Sequence, residues 1–133
     1  MKIMIDANIL ISSFIKQNST PEKAVSKATK LPYKLYLCDT VINEVRKFFN
    51  TKFTDRKPKA ESFYQNVPYH VVKLSPADKP YPDEALIRDE NDRPILRAAL
   101  KAGVDILVTG DNDFLESGVK IPRILTAVCF INT

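Results

Sequence analysis

Two aspartates stand at the ends of apolar runs that the sequence predicts to be buried strands. Asp6 follows the run 3–5 (IMI) and precedes another apolar run at 9–11, and Asp111 closely follows the run 105–109 (DILVT). An ionised carboxylate at such a position costs desolvation free energy unless another group compensates it. In parallel sheets, ligands gather beyond the carboxyl ends of the strands, so both side chains can reach one binding site.

Three further acids interrupt apolar patterns or follow a strand directly. Glu44 lies one helical turn from apolar positions, at the edge of the buried face of its predicted helix. Asp92 lies three and four residues before Ile95 and Leu96, in the centre of the apolar stripe of its predicted helix. Asp113 belongs to the turn-rich segment GDND. These positions converge on one edge of an α/β sheet.

Each acid also has an ordinary structural explanation. Glu44 can be a boundary residue that reaches out to water, and Asp92 can stabilise a helix N-terminus, a role that Asp89 can share. Asp111 and Asp113 can form a turn and cap the helix that follows. A shared site explains all of these placements together, whereas the structural roles explain them one at a time.

Clustered carboxylates favour one kind of cofactor. Carboxylates a few ångströms apart repel and raise one another's pKa unless a cation neutralises them. Oxygen ligands without histidine or cysteine select Mg²⁺ or Mn²⁺ rather than zinc. His70 is the one histidine of the chain, so zinc sites and serine or cysteine triads lack the base they need. We therefore expect Mg²⁺ or Mn²⁺ at this site.

Length and composition predict one globular domain, residues 1–133. The chain has 133 residues, of which 44% are hydrophobic and 27% charged, and its net charge of +4 permits a polyanionic partner. No apolar run is long enough for a membrane span, and the N-terminus lacks a signal-peptide pattern. Cys38 and Cys129 show no paired motif, so we expect free, buried thiols in a reducing compartment, the cytoplasm.

Strand-like and helix-like segments alternate along the chain. The predicted strands are 2–6, 33–37, 70–74, 105–109 and part of 122–131, which is either a strand or a strand followed by a helix. The predicted helices are 7–16, 21–31, one from Asp39 or Thr40, one within 52–65, 83–88, 91–102 and one directly after Asp113. The proline-rich segment 76–82 is predicted as a connector, and Gly103 as a helix stop. Strands apolar on both faces predict a three-layer α/β/α domain around a mostly parallel sheet.

Four motifs along almost the whole chain resemble those of the PIN-domain nucleases. They are MIDANIL at 4–10, DTVINEV at 39–45, RDENDRPIL at 88–96 and LVTGDNDFL at 107–115. The resemblance is strongest to small prokaryotic VapC-like toxins of type II toxin–antitoxin systems, and it rests on the order and spacing of the motifs.

The resemblance implies a set of site residues. The catalytic and metal-binding acids are Asp6, Glu44, Asp92 and Asp111, with Asp113 as a candidate fifth metal ligand. Asn8 and Thr109 match the asparagine and the hydroxyl residue that support the acids in the family. The chain departs from many members at Ala7, where a threonine is common, so it lacks one hydroxyl there but no carboxylate.

The implied activity is metal-dependent hydrolysis of RNA phosphodiester bonds by one or two Mg²⁺ or Mn²⁺ ions, which leaves a 5′-phosphate and a 3′-hydroxyl. The implied partners are the RNA substrate, an antitoxin protein and a second copy of the chain. The apolar segment 126–131 can serve such a homodimer interface or the core.

Basic and aromatic side chains can bind the RNA. The candidate backbone-binding residues are Arg46, Lys47, Lys52, Arg56, Lys57 and Lys59, although a solvated helix face explains them equally well. Tyr64 and Phe53 can stack on bases, but their helical spacing favours core positions.

Three other functions fit parts of the pattern. A haloacid-dehalogenase-type phosphatase also has an early aspartate, but it needs a second one where this chain has Asn8. A phosphorylatable receiver domain generally carries a lysine after a late strand, and none follows LVTG here. A PIN-like domain that binds RNA or protein without cutting is the alternative outside the enzymes.

Overall fold

Five parallel strands form one sheet in the order β3-β2-β1-β4-β5. They are β1 (Lys2–Ile5), β2 (Lys34–Cys38), β3 (His70–Val72), β4 (Ile106–Val108) and β5 (Arg123–Leu125). The structure is a computed structural model, and it describes residues 1–133. β1 lies at the centre, where Ile3 is in register with Leu35 on one side and Ile106 on the other. The sheet predicted as mostly parallel is parallel throughout.

Seven α-helices cover the sheet. They are α1 (Ala7–Ile15), α2 (Thr20–Ala28), α3 (Asp39–Thr51), α4 (Lys57–Asn66), α5 (Arg93–Ala102), α6 (Asn112–Leu115) and α7 (Ala127–Ile131). Short 3-10 turns span Thr54–Arg56, Pro82–Leu86 and Glu90–Asp92. α1 packs on α2 and α3, and α7 packs on α2, whereas α5 packs against β2 and β3. The predicted three-layer α/β/α fold is confirmed.

Some helix boundaries differ from the predictions for local reasons. α2 ends at Ala28 rather than near 31, because Leu31 precedes Pro32 and residues before proline disfavour the helical region. The helix predicted at 83–88 is the 3-10 turn Pro82–Leu86. The segment predicted as one helix over 91–102 is a 3-10 turn followed by α5, and Gly103 ends α5 at a φ of +66° as expected. The segment 122–131 is a strand followed by a helix.

The central strand supplies the middle of the core. Ile3, Met4 and Ile5 have no exposed surface, and one cluster of buried side chains extends from them to both faces of the sheet. Cys38 is buried, as predicted, but the prediction for Cys129 is wrong, because it lies on the outer side of α7 and is exposed. No helix combines the length and the apolar character needed to cross a bilayer.

The order of the strands reverses between β1 and β4. From β1 the chain proceeds to β2 and β3 on one side, and it then returns to β4 and β5 on the other. Such switch points, at the carboxyl end of the strands, are where open α/β sheets bind ligands. The backbone N–H of Asp6 donates to the Val108 carbonyl at 3.0 Å, which joins the two strands at this point.

A buried ion pair fastens the connector before α5 to that helix. Glu84, which is 3% exposed, accepts hydrogen bonds from Nη2 and Nε of Arg97 at 2.7 and 3.1 Å and from the backbone N–H of Tyr81 at 2.6 Å. Burial alone raises the pKa of Glu84, but Arg97 and the Tyr81 N–H outweigh it and hold that pKa below its ordinary value. The pair therefore fixes the path of the chain into Asp92.

We predict that Arg97→Met lowers the free energy of unfolding by about 2 kcal/mol, because it leaves the Glu84 carboxylate buried without its partner. Urea denaturation of the two proteins measures the loss. The double variant Glu84→Gln/Arg97→Met recovers part of it, since it removes the buried charge as well. Equal losses in the single and double variants would contradict this account.

Candidate active site

Asp6 is the buried centre of the candidate site. It caps α1, where its Oδ1 accepts a hydrogen bond from the Ala7 N–H at 2.8 Å, and its Oδ2 accepts one from Thr109 Oγ1 at 2.7 Å. The residue is 9% exposed. Burial raises the pKa of Asp6 and the charge of Asp111 adds to the rise, while the hydrogen bonds from Thr109 and Ala7 oppose it.

Thr109 joins the two strand-end aspartates. Its hydroxyl, which is fully buried at the end of β4, donates to Asp6 and accepts from the backbone N–H of Asp111 at 3.1 Å. Asn8 is exposed, and its Oδ1 accepts from the Gly110 N–H at 3.5 Å. The two polar residues predicted to support the acids therefore lie beside them, with Thr109 making the closer contacts.

Asp92 lies close enough to its neighbours for their charges to control its protonation. Burial raises the pKa of Asp92 to about 7, together with the hydrogen bond and charge of Asp111 and the charges of Asp89 and Asp6. Asp111 caps α6, and its Oδ1 accepts from the Asp113 N–H at 2.9 Å. The acids from the ends of β1 and β4 and from the start of α5 thus share one edge.

Glu44 reaches this edge from α3. The pKa of Glu44 is raised, first because the protein shields the carboxylate from part of the solvent and then because of the charge of Asp6. The residue is exposed, whereas its helical position had predicted the edge of the buried face rather than the solvent side. Its neighbour Val45 is fully buried, so Glu44 lies on the open side of that boundary.

The tightest acidic group is not the predicted set of four. Asp89, Asp92 and Asp113 each place a carboxylate oxygen within 4.8 Å of the other two. The sequence predicts only a capping role for Asp89, and Asp89 does perform it, because its Oδ1 accepts a hydrogen bond from the Asn91 N–H at 2.9 Å. Its position one short turn before Asp92 is the signal that could have included it in the site.

The basic residues proposed for RNA are divided by their contacts. Some are held by other side chains: Arg46 Nε lies 3.0 Å from Glu61, Lys59 Nζ 3.3 Å from Glu22, Arg56 Nη1 3.2 Å from Asp55, and Lys52 Nζ 5.9 Å from the Phe48 ring centroid. Lys47 and Lys57 are exposed and form no ion pair. Lys47 follows Glu44 by about one turn of α3. Tyr64 is a core residue, whereas Phe53 is 53% exposed.

The donor set suits a hard dication. The acids of this edge and the supporting residues Asn8 and Thr109 offer carboxylate, amide and hydroxyl oxygens. His70 lies elsewhere, at the start of β3, stacked on Tyr36 with 4.7 Å between the ring centroids. Oxygen donors in this number fit Mg²⁺ or Mn²⁺. Asp6, Glu44, Asp92 and Asp111 are the residues that could hold it, with Asp89 and Asp113 beside them.

Without a cation this edge destabilises the fold. An acid whose pKa is raised from 3.8 to about 7 on folding binds more protons in the native state, so it lowers stability as pH rises from about 4 to 7. We predict that Asp92→Asn raises the free energy of unfolding of EDTA-treated protein by about 1 kcal/mol at pH 8, after allowing for solvent screening.

Thermal melting in EDTA at pH 8 and pH 4.5 measures this effect. The expected gain is about 3 °C at pH 8, and it shrinks towards pH 4.5, where wild-type Asp92 carries a proton. Asp83→Asn is the matched control, because Asp83 is exposed and makes no side-chain hydrogen bond. A gain that is equal at both pH values would refute the explanation by charge repulsion.

Two solved structures share the fold of this chain. The structure of VapBC2 from Rickettsia felis bound to a DNA fragment from its promoter superimposes with a TM-score of 0.66 at 15% identity, over 95% of this chain and 97% of that one. The structure of Mycobacterium tuberculosis VapC20, a sarcin–ricin-loop-cleaving toxin, gives 0.64 at 14% identity, over 90% of this chain and 98% of that one. These likenesses show the shared fold.

No curated protein matches the sequence significantly. The sequence model of the PIN domain matches residues 2–113, which include every acid of the candidate site. The predicted family is confirmed: the chain belongs to the PIN domain family.

Proposed function

We propose that this protein is a metal-dependent ribonuclease that hydrolyses RNA phosphodiester bonds, and that it is the toxin of a toxin–antitoxin pair. The observation that carries the proposal is the convergence of Asp6, Asp92 and Asp111 at the carboxyl edge of the sheet, where the charge of Asp6 also acts on Glu44. An edge of mutually repelling carboxylates is costly in itself, and a bound dication turns it into a catalytic centre.

Asp6, Glu44, Asp92 and Asp111 would hold Mg²⁺ or Mn²⁺, which when bound lowers the pKa of water and stabilises charge on a phosphate. The chain's own contribution is to keep these oxygens in place. Thr109 and the Ala7 N–H each satisfy one oxygen of Asp6, and each oxygen keeps a further lone pair for a ligand. Asp111 is fixed in the same way, because its Oδ1 accepts a hydrogen bond from the Asp113 N–H.

The relatives support RNA as the substrate and an antitoxin as the partner. VapC20 is a toxin that cleaves the sarcin–ricin loop, and VapBC2 was determined on promoter DNA. For this chain we propose that Lys47 and Lys57, which form no ion pairs, contribute to RNA binding, joined by those of Arg46, Lys52, Arg56 and Lys59 that exchange their present contacts for phosphate. The homodimer and the cytoplasmic location remain predictions.

We predict that the purified protein cleaves mixed RNAs with Mn²⁺ or Mg²⁺ and loses this activity in EDTA. Asp6→Asn lowers the cleavage rate about a hundredfold or more, since loss of even an outer-sphere partner of a metal ligand costs up to about a hundredfold. Asp83→Asn serves as the matched acidic control and keeps wild-type activity. Gel analysis of end-labelled RNA measures both rates and identifies the new termini.

Equal cleavage by wild type and Asp6→Asn would refute the nuclease proposal. Hydrolysis of a phosphomonoester but not of RNA would favour the phosphatase, and RNA binding without cleavage would favour the non-cutting PIN-like domain.

We predict that induced expression of the wild-type gene arrests bacterial growth, whereas Asp6→Asn does not, because the growth arrest requires RNA cleavage. Co-expression of a small DNA-binding protein encoded next to the gene restores growth if it is the antitoxin. Colony counts after induction measure the effect, with immunoblots to show equal protein levels. Growth arrest by both proteins would show that toxicity does not depend on the acidic site.

A further inference from the structure

Arg88 is the one basic side chain that forms an ion pair with the acids of the candidate site. Its Nε donates to Asp113 Oδ1 at 2.9 Å, and its Nη2 lies 2.9 Å from the same oxygen and 3.1 Å from Glu116 Oε2. The other ion pairs of the chain lie elsewhere. Arg88 therefore links the segment before α5 to α6.

The guanidinium is held at the rim of the acidic edge rather than buried in it. Its partner Asp113 has a carboxylate oxygen within 4.8 Å of oxygens of Asp89 and Asp92. In space, the Asp113 side chain therefore links Arg88 to Asp92. The Arg88 side chain is 66% exposed, and its Nη1 makes no hydrogen bond to the protein. One face of the guanidinium is fixed while one nitrogen stays available to a ligand from solvent.

The charges around this edge indicate which ligand Nη1 of Arg88 can bind. Six carboxylates meet here, and they repel an approaching phosphodiester wherever a bound dication does not neutralise them. They are Asp6, Glu44, Asp89, Asp92, Asp111 and Asp113. A guanidinium suits phosphate oxygens in both charge and shape, and one already oriented by two carboxylates loses little side-chain freedom when it binds.

We propose that Arg88 is a substrate-binding residue that contacts the RNA backbone beside the cleaved bond, and that Asp113 and Glu116 are its positioning residues. This inference rests on the proposed function. It also gives Asp113 a different task from the metal ligand that the family resemblance implies, because its Oδ1 is already occupied by Arg88.

RNA binding tests the proposal without turnover. Each variant is made in the Asp6→Asn background, and its affinity for a fluorescent single-stranded RNA is measured by anisotropy in Mg²⁺ over a range of salt. Arg88→Gln weakens binding about fivefold and reduces the slope of log affinity against log salt by about 0.7, the value for one single-strand phosphate contact. Arg88→Lys keeps that slope, because it keeps the charge.

The matched control is Arg123→Gln. Arg123 is also exposed, but it begins β5 and so lies at the amino end of the strands, whereas the acids lie at the carboxyl end. Its loss therefore leaves the RNA affinity and the salt slope unchanged. Glu116→Gln distinguishes a positioning role from a simple charge effect. Removing a negative charge near bound RNA strengthens binding by electrostatics alone, whereas it weakens binding about twofold if Glu116 orients Arg88.

A second measurement separates a charge effect from simple loss of structure. With Asp6 intact, Arg88→Gln raises the affinity for Mn²⁺ on the order of threefold, since it removes a positive charge beside the acids. A purely structural role lowers the affinities for Mn²⁺ and RNA together. Opposite changes therefore support the proposal, and parallel losses overturn it.

The failures are distinguishable. If wild-type protein neither cleaves nor binds RNA, the proposed function fails. If wild type cleaves RNA and Arg88→Gln matches it in RNA affinity and salt slope, the ribonuclease proposal stands and the assignment of Arg88 is wrong.

Discussion

The hydrogen bond from Thr109 to Asp6 sets the geometry on which the rest of the site depends. It joins residues that are 103 positions apart in the chain and lie on adjacent central strands. The same hydroxyl accepts the Asp111 N–H, so one buried oxygen fixes two carboxylates relative to each other. Because both strands are buried on both faces, these acids cannot move apart to relieve their repulsion. The sheet therefore keeps these negative charges close together, whereas side chains on a flexible surface would move apart.

The other acids lie around this fixed centre on separate elements. Glu44 is on an exposed helical position, and Asp89 and Asp92 lie on a 3-10 turn between a connector and α5. The Glu84–Arg97 pair and the hydrogen bond from Arg93 Nε to the Ile87 carbonyl, at 3.0 Å, hold that turn in position. Supporting contacts of this kind hold the side chains of a functional site in fixed positions.

The fold and the acids that follow the strands could be predicted from the sequence, because both depend on local sequence patterns. Apolar runs reveal buried strands, and a carboxylate after such a run is conspicuous wherever it stands. The place of Asp89 in the acidic group and the contact of Arg88 with Asp113 could not be predicted, because both depend on tertiary contacts. Nothing in the segment RDEND shows that Arg88 meets Asp113, which lies 25 residues further on. Cys129 was misplaced for a related reason, since five-residue α7 is too short for its period to show which side faces the core.

The pairing of β1 with β4 also governs when the acidic edge can exist during synthesis. Domains fold in units as the chain leaves the ribosome, and pairing between distant segments must wait for the later one. Asp6 is synthesised before Thr109 and Asp111, which follow it by more than a hundred residues. A nascent chain therefore carries Asp6 without its hydrogen-bond partner and without its acidic neighbour until β4 and the residues after it have been made and have paired with β1.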